Sequence, residues 1–181
     1  ELAEGFLQLA REVPGAQQAV ALAQAEAALA RGENREALAI LDGAGLDPAA
    51  QPAGIALQLE ALERLGEWAR IGTLLPEARR HKVRPEAMLE GVEDRTYRAL
   101  LSLEGMKPEA LRSAWEAMPS GARQRPALIA AYARALARAG ANDEAAAQLG
   151  VALKRGWDPE LMRAYGLVPA ADPRRQLALA E

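Results

Sequence analysis

Cysteine is missing from this chain, so neither a disulfide framework nor a thiolate metal site can form. There is one histidine, His81, and a metal centre needs several convergent ligands that no other His or Cys is present to supply. Aromatic residues make up 4% of the sequence, and no run of β-branched residues alternates with polar ones, so strand signals are lacking. No apolar stretch approaches the roughly 18–20 uncharged residues that a bilayer-crossing helix needs. The amino-terminal Glu-Leu-Ala-Glu has no basic leader region ahead of an apolar core. A net charge of −3 gives no general electrostatic reason to bind nucleic acid. Neither a phosphate-cradling Gly-rich loop nor a nucleophile–base arrangement is visible, so an enzyme is not expected.

What remains is Ala, Leu and charge. Half of the 181 residues are hydrophobic, chiefly the strong helix formers Ala and Leu, and the reading is all-α. Gly32, Gly66, Gly105 and Gly140 each lie between two helix-like apolar patterns, with separations of 34, 39 and 35 residues. A small or aliphatic residue follows each glycine at fixed distance: Ala37, Ile71, Ala110 and Ala145. A helix–turn–helix period of about 34 residues is the mark of a tetratricopeptide (TPR) solenoid, an α-α superhelix. Stacked helix pairs make extended surfaces that hold other proteins.

A single domain over residues 1–181 is expected, with a short helix near 1–11 and helix pairs at about 17–42, 48–80, 85–118 and 125–155. A partial unit follows at 158–181. Asn34, Asp47, Asn142, Asp158 and Asp172 are candidate N-caps, because a side-chain oxygen there can accept a free backbone N–H. Pro76 falls inside the second helix of its pair, predicting a kink or a stop near Leu74. Leu59, Leu62, Leu75, Leu136 and Leu149 are expected in the core. The chain ends on Leu-Ala-Leu-Ala-Glu within a helical pattern, and we read it as a fragment of a longer protein.

Several segments carry more than a generic repeat. Gly66-Glu67-Trp68 with Leu74-Leu75-Pro76 precedes Ala110-Leu111-Arg112-Ser113-Ala114-Trp115-Glu116. An Arg-rich loop leads to Pro126-Ala127-Leu128, and Leu153-Lys154-Arg155-Gly156-Trp157-Asp158-Pro159 precedes Tyr165-Gly166. In this order the chain resembles the C-terminal TPR region of HemY-type proteins, found beside haem-biosynthesis genes in proteobacteria. The resemblance implies a non-catalytic scaffold at the cytoplasmic face of the bacterial inner membrane, linked to late steps of protohaem synthesis. It further implies membrane anchoring through segments outside this chain, and protein partners such as haem-pathway enzymes. No cofactor of its own is expected. The alternative is direct binding of porphyrin or haem as carrier or sensor. A protoporphyrinogen oxidase shares the family's name, but it needs a flavin-binding Gly-x-Gly-x-x-Gly that this chain lacks.

If the first helix of each pair lines the groove, Glu60, Glu63 and Arg64 come from the second pair. Arg95 and Arg98 come from the third, and Arg134 and Arg138 from the fourth. The patch alternates in sign, which suits a partner of mixed charge, and packing is not expected to require these guanidinium groups. The run Arg79-Arg80-His81-Lys82-Val83-Arg84 is the densest basic segment. Cations at a helix C-terminus explain it first, and an anion site for lipid head groups or porphyrin carboxylates second. His81 is read as exposed or capping, and Tyr97, Tyr132 and Tyr165 as core rather than haem ligands. Trp68, Trp115 and Trp157 are read as packing residues, any exposed one being a candidate binding anchor.

Overall fold

The computed structural model describes residues 16–45 and 52–169. Among them the regular structure is α-helical, without strands: α1 Ala16–Ala30, α2 Asn34–Gly43, α3 Pro52–Leu65, α4 Trp68–Arg80, α5 Glu86–Leu101, α6 Pro108–Glu116, a 3-10 turn Ala122–Gln124, α7 Pro126–Arg138, α8 Asn142–Arg155 and α9 Pro159–Leu167. None of these helices is long and apolar enough to cross a membrane. The expected helix near 1–11, the caps Asp47 and Asp172, and the segment beyond 169 lie outside the described residues.

The chain forms two compact units, Glu1–Val92 and Glu93–Glu181, the boundary falling within α5. In the first, α1 packs on α2 and also on α3, α2 on α3, and α3 on α4. Its core is Ala25, Leu29, Ala37, Leu41, Ile55, Leu59, Leu62, Ile71, Leu75 and Ala78, joined by Leu89 and Val92 from α5. In the second, α7 packs on α6, α8 and α9, and α8 on α9. Leu111, Tyr132, Ala133, Leu136, Ala145, Leu149 and Leu161 fill that core. All five leucines expected in the core are buried.

Three of the four turns share one geometry, and glycine supplies it. Gly32, Gly66 and Gly140 have φ of +81°, +70° and +82°, the left-handed region where a Cβ is penalised. The glycine N–H donates to the carbonyl three residues back, as in Gly32 to Leu29 at 3.0 Å. The next N–H donates five back, as in Glu33 to Ala28 at 2.9 Å. This pair of hydrogen bonds to the last turn is the Schellman closure. The same pair of bonds recurs at Gly66 and Gly140. It recurs once more at Lys82, whose φ is 51° and whose N–H reaches Arg79 O while Val83 N–H reaches Ala78 O, both at 3.1 Å. A lysine thus occupies a glycine position at the end of α4.

The third turn differs. Gly105 has φ +73°, but α5 ends at Leu101 and α6 starts only at Pro108. Elsewhere the residue after the glycine accepts from the N–H four further on: Glu33 from Ala37, Glu67 from Ile71, Ala141 from Ala145. Here Lys107 accepts from Leu111. One extra residue shifts the register, so Leu111 is buried and Ala110, which stands at the same distance from its glycine as Ala37, Ile71 and Ala145, is exposed.

Two further expectations are corrected. Asn34 and Asn142 are the first helical residues rather than caps; Glu33 and Ala141 hold the cap positions without a side-chain bond. Asp158 does cap α9, accepting from Glu160 N–H at 2.8 Å and Leu161 N–H at 3.1 Å. Of the kink or stop expected near Leu74, the stop does not occur: helix α4 runs through Pro76 to Arg80. Proline forfeits one backbone bond, but buried Leu75 and Ala78 beside it hold the segment against its unit.

Candidate interaction surface

The seven residues expected to meet a partner divide between the units, and hydrogen bonds or ion pairs tie six of them to other parts of the chain. In the first unit, Arg64 Nη2 lies 2.5 Å from Glu60 on its own helix, while its Nη1 donates to Leu29 O at 2.7 Å. Leu29 lies in the last turn of α1, where carbonyls lack helical partners; its oxygen takes one donor from Gly32 N–H and a second from Arg64. Glu63 pairs with Arg84 at 2.5 Å.

In the second unit, Arg98 of α5 and Arg134 of α7 converge on Glu160 in the first turn of α9, at 3.4 and 3.0 Å. Their charge also offsets a carboxylate placed where the helix dipole favours it. Arg138 Nη2 donates to Leu101 O, the final residue of α5, at 3.0 Å. Arg64 and Arg138 stand two residues before Gly66 and Gly140, so one repeat position makes the same reach in both units. The expectation that packing leaves these guanidinium groups idle does not hold. Arg95 is exposed and is itself engaged.

A stronger ionic cluster lies at the start of α7 and was not foreseen. Arg125, the residue before Pro126, bonds Glu93 and sits 2.9 Å from Asp94, both on α5. The Glu93 side chain is only 4% exposed, so this is a buried charge held by its partner. Nearby, Trp115 stacks on Tyr132 with ring centroids 4.5 Å apart and planes 3° from parallel. Tyr132 Oη lies 3.3 Å from Glu144, which Arg112 grips with Nε at 3.0–3.1 Å and Nη2 at 2.8 Å. Burial, reinforced by the charge of Glu144, pushes the Tyr132 phenol up to about 12. The hydrogen bond from Arg112 holds Glu144 below its ordinary value. This network locks α6, α7 and α8 together, consistent with Tyr132 as a core residue.

The basic run is largely neutralised. Arg79 bonds Glu86 at 2.7 Å, Arg80 bonds Glu77 at 3.1 Å, and His81 closes α4 with Nε2 3.5 Å from Glu77. Lys82 remains exposed at the turn. Of the tryptophans, Trp68 and Trp115 pack against the two cores. Trp157, expected to pack, is 73% exposed; it stands two residues beyond the end of α8, on a segment that belongs to no helix.

No family model matches this chain, nor does any curated protein or solved structure.

Proposed function

We propose that this chain is a non-catalytic protein-binding scaffold of the TPR type, acting beside late protohaem synthesis at the inner membrane. The observation that carries the scaffold reading is the recurrent unit itself. Three glycine turns with φ between +70° and +82° repeat the same two backbone bonds, and a helix of one pair packs on the first helix of the next, as α1 on α3 and α7 on α9. Such units present side chains in register to a partner rather than enclosing a substrate. The link to haem synthesis rests on the resemblance in the sequence to HemY-type proteins.

Glu60, Glu63, Arg64, Arg95, Arg98, Arg134 and Arg138 are our candidates for partner contact. Their internal pairs leave side-chain area open: Arg134 is 38% and Arg98 46% exposed, and exposed ion pairs exchange partners at little cost. The test is capture from proteobacterial inner membranes with the chain as bait. Specific recovery of a porphyrin-pathway enzyme supports the reading; recovery of none refutes it. Titration with haemin separates the alternative, because a saturable Soret shift at micromolar concentration would make the chain a porphyrin carrier instead.

A further inference from the structure

A cleft in the second unit, separate from the partner-contact candidates above, gathers cations that have no internal partner among the described residues. Gln148, Val151, Ala152 and Arg155 share one face of α8 and form one wall. Trp115, at the end of α6, and Arg123 and Gln124, in the 3-10 turn, form the other. The cleft holds about 290 Å³, and no Asp or Glu is among its lining residues.

That lack of acid is unusual for this chain. Arg64, Arg70, Arg98, Arg112, Arg125 and Arg134 each find a carboxylate on their own or another helix. Arg123 does not, and its Nε is buried without a hydrogen-bond partner. A buried donor left unmade is costly and calls for a water, an ion or a ligand; Arg125 Nε shares this state, but its guanidinium is neutralised by Glu93 and Asp94, whereas Arg123 has no such carboxylate among the described residues. Attraction to the helix dipole accounts for Arg155 at the C-terminus of α8. It does not account for Arg123, which is on no α-helix.

We propose that this cleft binds an acidic segment of a partner protein, with a side-chain carboxylate held between Arg123 and Arg155. Arginine presents paired N–H groups that match a carboxylate. Gln124 and Gln148 offer both donor and acceptor to a peptide backbone. Half-buried Trp115 and half-exposed Val151 give an apolar residue of the segment a wall to cover. A free phosphate would use the two arginines but leave those amides and that wall unfilled. The proposal rests on the scaffold reading and assigns its partner a chemistry.

The probe is a fluorescein-labelled peptide, acetyl-Asp-Glu-Leu-Asp-Glu-amide, titrated into the intact chain at low salt. Saturable binding is expected, weakened about tenfold or more by Arg123→Gln and by Arg155→Gln, the loss of a charge-assisted contact. The Asn/Gln isostere of the peptide should not bind. Arg155→Glu, on the exposed end of α8, provides a second variant whose circular dichroism checks folding, and it should also abolish binding. Equal binding of the isostere, no effect of the substitutions, or no binding at all would overturn the proposal. So would inorganic phosphate that binds where the peptide does not. If membrane capture persists in Arg123→Gln/Arg155→Gln, the scaffold reading stands and the cleft assignment falls. If the unsubstituted chain captures nothing yet binds the peptide, the reverse holds.

Discussion

Exchanging residues between Lys82 and Gly140 should move stability in opposite directions, for one physical reason. Both close a helix by the same two backbone bonds with positive φ, 51° and +82°. At Gly140 an added Cβ meets nothing within 4 Å, so Gly140→Ala is penalised by backbone conformation alone. The left-handed region costs an L-residue about 1–2 kcal/mol. Removing glycine's freedom from the unfolded chain returns about 0.4–1 kcal/mol. The net loss is therefore about 1 kcal/mol. Lys82→Gly reverses both contributions, and Lys82 is exposed with no side-chain partner to lose, so a gain of about 0.5–1 kcal/mol follows. Urea titration by circular dichroism reads each as a midpoint shift at constant slope. Thermal midpoints should move by about 4–8 °C per kcal/mol for units of this size. A destabilised Lys82→Gly, or a Gly140→Ala as stable as the parent, would refute the equivalence of the two turns.

Arg125→Met should destabilise the chain by about 3–5 kcal/mol, because it strands the buried Glu93 carboxylate, and Arg125→Met/Glu93→Met should recover most of that in a urea titration. Leu136→Ala and Leu149→Ala should each cost about 2–5 kcal/mol; a loss under about half a kcal/mol would contradict their full burial. Tyr132, with its folded pKa raised to about 12 from an ordinary 10.0, contributes stability fully present below pH 10 and lost as pH climbs toward 12, a limb that Tyr132→Phe should flatten. Glu144 works in the opposite sense: lowered from 4.5, it adds stability above that pH that is lost on further acidification, and Glu144→Gln should blunt this acid limb. Arg134→Glu/Arg138→Glu should abolish partner capture but also lower the melting temperature, since it places a carboxylate against Glu160 and against the Leu101 carbonyl.

The fold is readable in the sequence because turn and core signals agree. Glycine spacing sets where each helix pair folds back, and the apolar stripe counted from each glycine predicts Leu59, Leu62, Ile71, Leu136 and Leu149 as core, all of which are buried. The misses come where one signal stands alone. Lys82 is invisible as a turn because a basic residue at a helix end already has a sufficient electrostatic explanation. Ala110 fails to match its counterparts because the pattern assumes one turn length, while the stretch from Gly105 to Pro108 holds one more residue than the other turns do. Pro76 is a strong local breaker that tertiary burial overrides. Asn34 and Asn142 look like caps by type, yet the Schellman closure has already placed the chain, and the helix begins at them.

The surface is less legible, since a guanidinium chooses its partner in space. Counting along a helix shows Arg134 and Arg138 four apart on one face, but Glu160 and the Leu101 carbonyl come from elements 26 and 37 residues away. One signal was available. An arginine precedes the turn glycine by two positions at both Arg64 and Arg138, and each preceding first helix ends on carbonyls that need donors. Recurrence at that position argues for a structural tie before it argues for a partner. By the same logic, the arginines most open to an outside ligand are those off the repeat register. Arg123 lies in the 3-10 turn and Arg155 at the end of α8, where neither meets a carboxylate among the described residues. Under the proposal, recognition adds the irregular connections to the in-register cations, and the Arg123–Arg155 cleft is where that addition becomes measurable.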